Sequence, residues 1–166
     1  MKKFIAVLFL AALAAQSWAA SQTDTLATTS GTLSLTHVWS NNPIESYSLA
    51  WTSDASGNVV ATVPGLDGWF ERIATNPGDG ATSPTANYDV TLTDADGADV
   101  LTGKGANRSQ ADVEQFVSLI GNGTGAHGLT SANDYRPVAV LGDHTLTIAS
   151  AGNAKSGVLK IYIRRR

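Results

Sequence analysis

The chain has 166 residues, which is long enough for one domain with a hydrophobic core, and 43% of them are apolar while only 15% are charged. Its net charge of −3 gives it no general attraction to nucleic acid, and the absence of cysteine excludes disulfides and thiolate metal sites. The abundance of Gly, Thr, Ser, Asn and Asp is typical of short strands joined by turns.

Residues 1–20 have the pattern of a secretory signal peptide. Two lysines precede an apolar run from Phe4 to Ala15, and Ser17 and Ala19 follow at the spacing that signal peptidase prefers. The run is shorter than the roughly 20 residues that span a bilayer, so we expect no stable membrane span once the leader is removed. A retained hydrophobic helix is the alternative interpretation.

The rest of the chain predicts eight or nine short strands. Residues 21–31 predict a flexible lead-in or a weak edge strand, and alternation over 32–39 places Leu33, Leu35 and Trp39 on one strand face. Further strands are predicted at 46–53, 58–64, 69–75, 88–94, 136–142, 144–150 and 158–164. The pattern predicts an all-β fold, a single antiparallel β-sandwich (jelly-roll-like or Ig-like) of about eight strands over residues 32–166.

Glycine, proline and polar clusters predict where these strands are interrupted. Loops are expected at 64–68 and 76–87, and a hairpin turn is expected at Gly142-Asp143. DASGN at 54–58 predicts a turn, because Gly57 and Asn58 tolerate positive φ. The segment 112–120 favours a strand or irregular structure over a short helix that Ser109 could cap.

Three aspartates, Asp94, Asp96 and Asp99, surround Gly97 and suggest either a cation site or a turn. Closely spaced carboxylates can bind Ca²⁺, but an EF-hand loop that starts at Asp94 would need a glutamate where Gly105 stands. Asp96-Gly97 is a favoured pair for a two-residue hairpin turn. We therefore interpret residues 88–94 and 98–102 as antiparallel partners, with Thr93 and Asp94 opposite Asp99 and Val100 within one register step.

Other residues offer little sign of catalysis. His37, His127 and His144 are far apart in sequence, so a zinc site would require them to converge, and His37 is expected at the core or sheet edge. The chain has no G-x-S-x-G motif, the Gly-rich segment 121–128 lacks a phosphate-binding lysine, and Asp112 with Glu114 fits a solvated strand face. We expect a non-enzymatic protein without cofactor, metal or catalytic residues, and no binding residue is assigned.

The aromatic residues are expected to divide between the core and the surface. Trp39, Trp51 and Tyr47 alternate with polar residues and are predicted to face inward, whereas Trp69 and Tyr135 stand beside loops and are the better candidates for exposure and sugar stacking. The arginines at 164–166 are interpreted as a solvated chain end.

The run YDVTLTDADGADVL, followed by GKGANRS and RPVAVLGDHTLTIASAGNAKSGVLKIYIR, resembles small β-proteins encoded among the structural genes of tailed phages. The similarity includes SYSLAWTSDASGNVVATVPGLDGWFERIATNPG and covers most of residues 32–165. The shared motifs are turns and strands rather than active-site motifs. The resemblance implies a virion component of tail, fibre or capsid-decoration type, which would contact other virion proteins.

Two functional hypotheses remain open from the sequence. The first is a virion structural protein that forms a homo-oligomer, since a chain without disulfides can gain stability through contacts with other copies. The second is a secreted binding module, for example for carbohydrate at a host or cell surface, which would use the leader naturally. The resemblance implies location in the virion, whereas the leader implies secretion or the periplasm, unless it is a helix that serves assembly.

Overall fold

The structure, a computed structural model, describes residues 20–39, 42–117, 119–120 and 136–166. Residues 1–19 of the predicted leader, His127 and Tyr135 lie outside the described residues. Within them, strands make up the regular structure except for one turn of 3-10 helix at Gly80–Thr82. The prediction of an antiparallel all-β fold is therefore confirmed.

Eleven strands are described, and all of their pairings are antiparallel. Nine form one sheet, with the order β1-β3-β4-β11-β5-β10-β6 and with β2 and β7 also paired to β5, while β8 and β9 form a two-stranded ladder. The strands are β1 (Ala20–Leu26), β2 (Thr28–Ser30), β3 (Thr32–Trp39), β4 (Ile44–Thr52), β5 (Val59–Pro77), β6 (Asp89–Thr93), β7 (Glu114–Phe116), β8 (Leu119–Ile120), β9 (Arg136–Pro137), β10 (Ala139–Ala149) and β11 (Ser156–Arg164).

The ambiguous segments form strands. Of the two interpretations of residues 21–31, the edge strand is the one observed, as β1 and β2. The strand interpretation of residues 112–120 is also confirmed, because β7 and β8 lie in this segment.

The predicted loop at 64–68 is wrong, because β5 runs through it as one strand of 19 residues. Leu66 and Asp67 stay in the ladder by pairing with Gly142 and Leu141 of β10. The predicted break at 76–87 also starts later than expected, since Asn76 still pairs with β11.

The predicted hairpin at Gly142-Asp143 is also wrong, because β10 is one strand that passes through both residues. The ladder shifts register there: Gly142 pairs with Leu66, and the next pair joins His144 to Val63. Residues 64–65 of β5 therefore face the single residue Asp143, whose carboxylate accepts a hydrogen bond from the Gly65 amide at 3.1 Å. The two sequence signals for a turn mark the two sides of one β-bulge.

The two halves of β5 have different neighbours. Residues 59–69 pair with β10, and residues 69–77 pair with β11. Gly68 stands near the exchange point with φ of 139°, and a Cβ atom there would clash with the Arg164 carbonyl oxygen. Only glycine permits both this backbone conformation and this close approach.

One continuous core draws on both sets of neighbours of β5. Side chains of β3, β4 and β11, such as Leu35, Leu49 and Ile161, belong to the same buried cluster as Val63 of β5 and Leu146 of β10. The alternation predicted for the last strand is confirmed, since Leu159, Ile161 and Ile163 are at most 1% exposed.

Candidate functional site

The aspartates around Gly97 hold a loop together. Asp94 accepts hydrogen bonds from the amides of Asp96 and Ala98 at 3.0 and 2.9 Å. Gly97 donates its amide to the Asp94 carbonyl and has φ of 82°. The loop therefore has three residues, 95–97, rather than the predicted two, because a type I turn followed by a left-handed glycine closes the hairpin.

The return arm of this hairpin is shorter than predicted. Thr93 lies opposite Asp99, as expected, but this is an isolated bridge, and residues 100–105 form turns rather than a strand. The cause is Asp99, which draws the chain into a turn by accepting backbone amides from three residues. The donors are Leu92 at 3.3 Å, Leu101 at 3.0 Å and Gly103 at 2.8 Å.

The same loop occurs a second time, at DASGN. Asp54 accepts the amides of Ser56 and Asn58 at 2.8 and 2.9 Å, and Gly57 has φ of 83°. Asp54 also accepts a 2.6 Å hydrogen bond from Ser30. This bond, followed by that from the Asn58 amide, lowers the pKa of Asp54 below its ordinary value. The pattern D-A-x-G thus encodes one tight loop at two places, and its aspartate carboxylate accepts hydrogen bonds from the backbone.

The histidines occupy separate environments. His37 is in β3, whereas His144 is in β10 with its Nδ1 atom 3.0 Å from the Gly142 carbonyl oxygen. His144 is 2% exposed, and its Nε2 atom has no partner among the described residues. Within the same residues, no three His, Cys, Asp or Glu side chains are close enough to hold a metal ion.

A buried carboxylate, Glu45 on β4, is the centre of a polar cluster. Its side chain is 10% exposed, and three groups contact it. Tyr47 donates its hydroxyl at 3.0 Å, the His37 Nε2 atom lies at 3.0 Å, and the Arg165 Nε atom lies 2.7 Å from the other carboxylate oxygen. A buried carboxylate requires this compensation, because burial without partners is costly.

Strand register brings this cluster together. His37 pairs directly with Tyr47 across β3 and β4, and their rings stack at 4.2 Å with an interplanar angle of 10°. Trp39 tilts against His37 at 4.9 Å. Arg165 is held beside the start of β4, because its amide donates to the Pro43 carbonyl at 2.9 Å.

The electrostatics of the cluster favour a neutral tyrosine. Burial raises the pKa of Tyr47 far above its ordinary value, and the adjacent Glu45 carboxylate raises it further. Tyr47 is therefore a hydrogen-bond donor at neutral pH rather than a base. The cluster fastens the last residues of the chain to the start of β4, and its carboxylate is already occupied by donors.

Sequence reasoning missed Glu45. The available signal was an inward-facing charge: Glu45 alternates with Tyr47, Leu49 and Trp51 on a face that is otherwise apolar or aromatic. The partners could not be identified in advance, because His37 and Arg165 reach Glu45 through strand pairing and not through sequence proximity.

The predicted division between core and surface is confirmed for Trp51, Tyr47 and Trp69. Trp51 and Tyr47 are 3% and 4% exposed, whereas Trp69 is 41% exposed. Trp39 is half-buried, so its side chain is less buried than a core position requires, and the prediction of a core position is wrong for this residue.

Trp69 belongs to an exposed surface that we call the Trp69 patch, consisting of Trp69, Leu141, Asp67, Arg164 and Arg166. Trp69 pairs with Ala139 and Asp67 pairs with Leu141, so Trp69 and Leu141 are diagonal neighbours on one sheet face. Leu141 is 68% exposed. The Arg166 guanidinium lies 5.9 Å from the Trp69 ring centroid, and charged side chains surround the apolar pair.

The C-terminal arginines are exposed and form ion pairs with the sheet. Each pairs with a carboxylate on an earlier strand, which is possible because the chain end runs beside β4 and β5. The pairs are Arg164 with Glu71, Arg165 with Glu45 and Arg166 with Asp67. All three side chains are about half exposed, so the interpretation as a solvated chain end is confirmed, and the ion pairs add contacts to the sheet.

A shallow groove of about 560 Å³ crosses the face of β1, β3, β4, β11 and β5 that is opposite the core. Its exposed lining consists of small, uncharged side chains that lie opposite each other on paired strands. These include Thr25, Thr32, Ser34, Ala50, Thr52, Asn76 and Ser156. The groove is shallow and has hydroxyl and amide groups but no charged group in its lining, so it does not resemble the enclosed, mostly apolar pocket that binds a small ligand.

The chain matches no protein-family model, no curated protein and no solved structure. Among the described residues, no helix has the length and apolar character that a bilayer crossing requires.

Proposed function

We propose that this protein is a non-enzymatic structural and interaction protein, a virion component of tail, fibre or capsid-decoration type that assembles with its own copies and with other virion proteins. The observation that carries the proposal is the Trp69 patch. Its exposed tryptophan and leucine inside a rim of arginines and aspartate have the composition of a protein interface hot spot. The resemblance to tailed-phage structural proteins supports the virion assignment.

The proposal includes a two-layer architecture. The exchange of partners along β5 at Gly68 would place β2, β10 and β6 in one layer and β1, β3, β4, β11 and β7 in the other. Strands that bend at a corner commonly join two packed sheets. The shared core between both groups of strands supports this β-sandwich.

The test is the mass of the purified full-length chain, together with its presence in purified particles. We expect an oligomer whose dissociation constant rises at least tenfold in Trp69→Ser, since a hot-spot residue contributes about 2 kcal/mol or more. Val113→Ser is the matched control, because Val113 is 58% exposed but lies outside the patch. A strict monomer that is absent from the particles would contradict the proposal.

A second candidate function, a secreted carbohydrate-binding module, is supported by the exposure of Trp69. An exposed indole can stack on a sugar ring, and Arg164 and Asp67 beside it can hydrogen-bond to hydroxyl groups. A glycan screen discriminates the two candidates. Binding that Trp69→Ser abolishes would favour this function, and a blank screen would exclude it.

A further inference from the structure

The outer edge of β1 has features of a strand that pairs with another chain. β1 is the terminal strand of the nine-stranded sheet and pairs with β3 through seven consecutive residues without a register shift. Native sheets usually protect such an edge with proline, several charged side chains, a bulge or a covering segment. The sequence ASQTDTL contains no proline or lysine, and Asp24 is its one charged residue.

Solvent reaches both faces of β1 in the single chain. Residues 21–25 are all exposed, although Gln22 and Asp24 lie on the core-facing side, opposite His37 and Leu35. Leu26 at the end of β1 packs against the core, and the ladder to β3 is the main contact that holds the rest of the strand. A further strand on its open edge would complete its backbone hydrogen bonds, and nothing in the described residues covers either face to obstruct it.

We propose that a second copy of this chain pairs antiparallel with β1 about a two-fold axis at Thr23, so that the sheets of two protomers become continuous. This inference shares with the proposed function only the expectation that copies of the chain associate. The surface that it assigns to the contact, the edge of β1, is distinct from the Trp69 patch. A two-fold axis is the commonest symmetry of homo-oligomers, and it requires a self-complementary surface.

The sequence of β1 is self-complementary about Thr23. In this register Thr23 faces the partner's Thr23. Gln22 of each chain faces Asp24 of the other chain, so this pair occurs once on each side of the axis. Gln22 already donates to Asp24 within one chain at 2.7 Å, so the two side chains suit each other chemically. Ala20 faces the partner's Leu26, which joins the two apolar ends of the strand.

Neighbouring registers are less favourable. An axis at Asp24 would place two aspartates directly opposite each other, which is destabilising. It would also leave Ala20 and Ser21 unpaired at both ends. The register centred on Thr23 pairs all seven residues of β1, Ala20–Leu26, and places no like charges opposite each other.

The absence of native cysteine permits a direct test by cross-linking. Opposed Cα atoms in an antiparallel pair are about 4.5–5.5 Å apart, within the disulfide range of about 4.4–6.8 Å. We expect Thr23→Cys to form a covalent dimer under mild oxidation, on a non-reducing gel. Thr62→Cys, at an exposed threonine on β5, is the matched control and should remain a single chain.

A second pair of variants tests the same register without oxidation. Thr23→Lys places two lysines opposite each other at the axis and should shift the native mass toward the single chain. Thr25→Lys is its matched control, because residue 25 would face the partner's Ser21, and it should keep the mass of the wild type. Both threonines have exposed side chains, so folding should be retained, as far-UV circular dichroism would verify.

The outcomes separate this inference from the proposed function. An oligomer in which Thr23→Cys cross-links no faster than Thr62→Cys would overturn the β1 pairing and leave the proposed function standing. A covalent dimer of the Thr23→Cys variant, from a chain that is absent from purified particles, would support the pairing and contradict the virion role. A wild-type chain that is monomeric, together with a Thr23→Cys variant that gives no covalent dimer, would overturn both.

Discussion

Replacing Tyr47 with phenylalanine tests whether the Glu45 cluster stabilises the fold. The substitution removes only the hydroxyl that donates to Glu45 at 3.0 Å. The ring remains, so its stacking on His37 at 4.2 Å is preserved and no large cavity forms. The expected effect is therefore that of one hydrogen bond to a buried carboxylate.

The size of this effect follows from the position of Glu45. A hydrogen bond to a charged group contributes about 1.5–3 kcal/mol to stability. Arg165 and His37 continue to contact the carboxylate, so it is not left without partners. For a chain of this size, the loss corresponds to a fall in Tm of about 3–12 °C.

Urea unfolding at pH 8, followed by tryptophan fluorescence, measures the loss. Tyr162→Phe is the matched control: Tyr162 lies on the opposite face of the sheet, under the Arg72 guanidinium at 4.0 Å, and its ring contact is retained. We expect the control to change stability by less than about 0.5 kcal/mol. A double-mutant cycle with Glu45→Gln should give a coupling free energy of at least about 0.5 kcal/mol.

The pH dependence provides an independent check. Because burial raises the pKa of Tyr47 above its ordinary value of 10.0, the unfolded chain loses the proton first. The contribution of Tyr47 to the free energy of unfolding is therefore complete below pH 10 and declines as the pH rises above 10. The stability gap between the wild type and Tyr47→Phe should narrow in that range. A variant as stable as the wild type at pH 8, or a gap that widens above pH 10, would refute the reasoning.

Three further predictions concern the backbone at the corner and the loops. Gly68→Ala should destabilise the protein by about 2–5 kcal/mol in urea unfolding, because a Cβ atom would meet the Arg164 carbonyl oxygen. Gly65→Ala is the control: its Cβ atom would have open space, so it should cost only the backbone strain of about 1–2 kcal/mol from the positive φ. Equal losses of stability in the two variants would contradict the close approach at Gly68. Asp99→Ala should lower the free energy of unfolding by about 1–3 kcal/mol and speed hydrogen exchange at the amides of residues 92, 101 and 103. Asp96→Ala, at the exposed loop tip, is the control and should do neither. Unchanged exchange in Asp99→Ala would show that these hydrogen bonds do not hold the turn. Asp54→Asn should be less stable than the wild type at neutral pH. The difference in stability should close as the pH falls below about 3.8, because the pKa of Asp54 is lowered and its carboxylate stabilises the fold only while it is ionised. An acid titration followed by fluorescence in which the difference grows would exclude this linkage.

Strands with one buried face were predictable from the sequence. The prediction of 32–39 matches β3 in its limits, because alternation of apolar and polar residues reports burial directly. The errors at 64–68 and 142–143 have one shared cause. Glycine and its polar neighbours permit both turns and bulges, and only the facing strand, distant in sequence, decides which one forms.

The polar clusters were less predictable. Asp96-Gly97 correctly predicted a reversal of the chain, but the sequence did not predict that Asp94 would accept two backbone amides across the loop, as Asp54 does in the other loop. Glu45 was missed because its partners come from another strand and from the chain end. Local pattern therefore predicts where the chain turns, whereas charge compensation depends on contacts between distant residues.

The central position of β11 has a consequence for biosynthesis. β11 lies between β4 and β5 in the sheet, yet it is the last of the described strands to be synthesised. At about 5–20 residues per second, the ribosome needs roughly 8–30 s to make the residues that precede it. During that time β4 and β5 lack their shared partner, so the nascent chain cannot close its sheet. Until then the edges of β4 and β5 that later receive β11 carry unpaired backbone groups, and such edges favour aggregation.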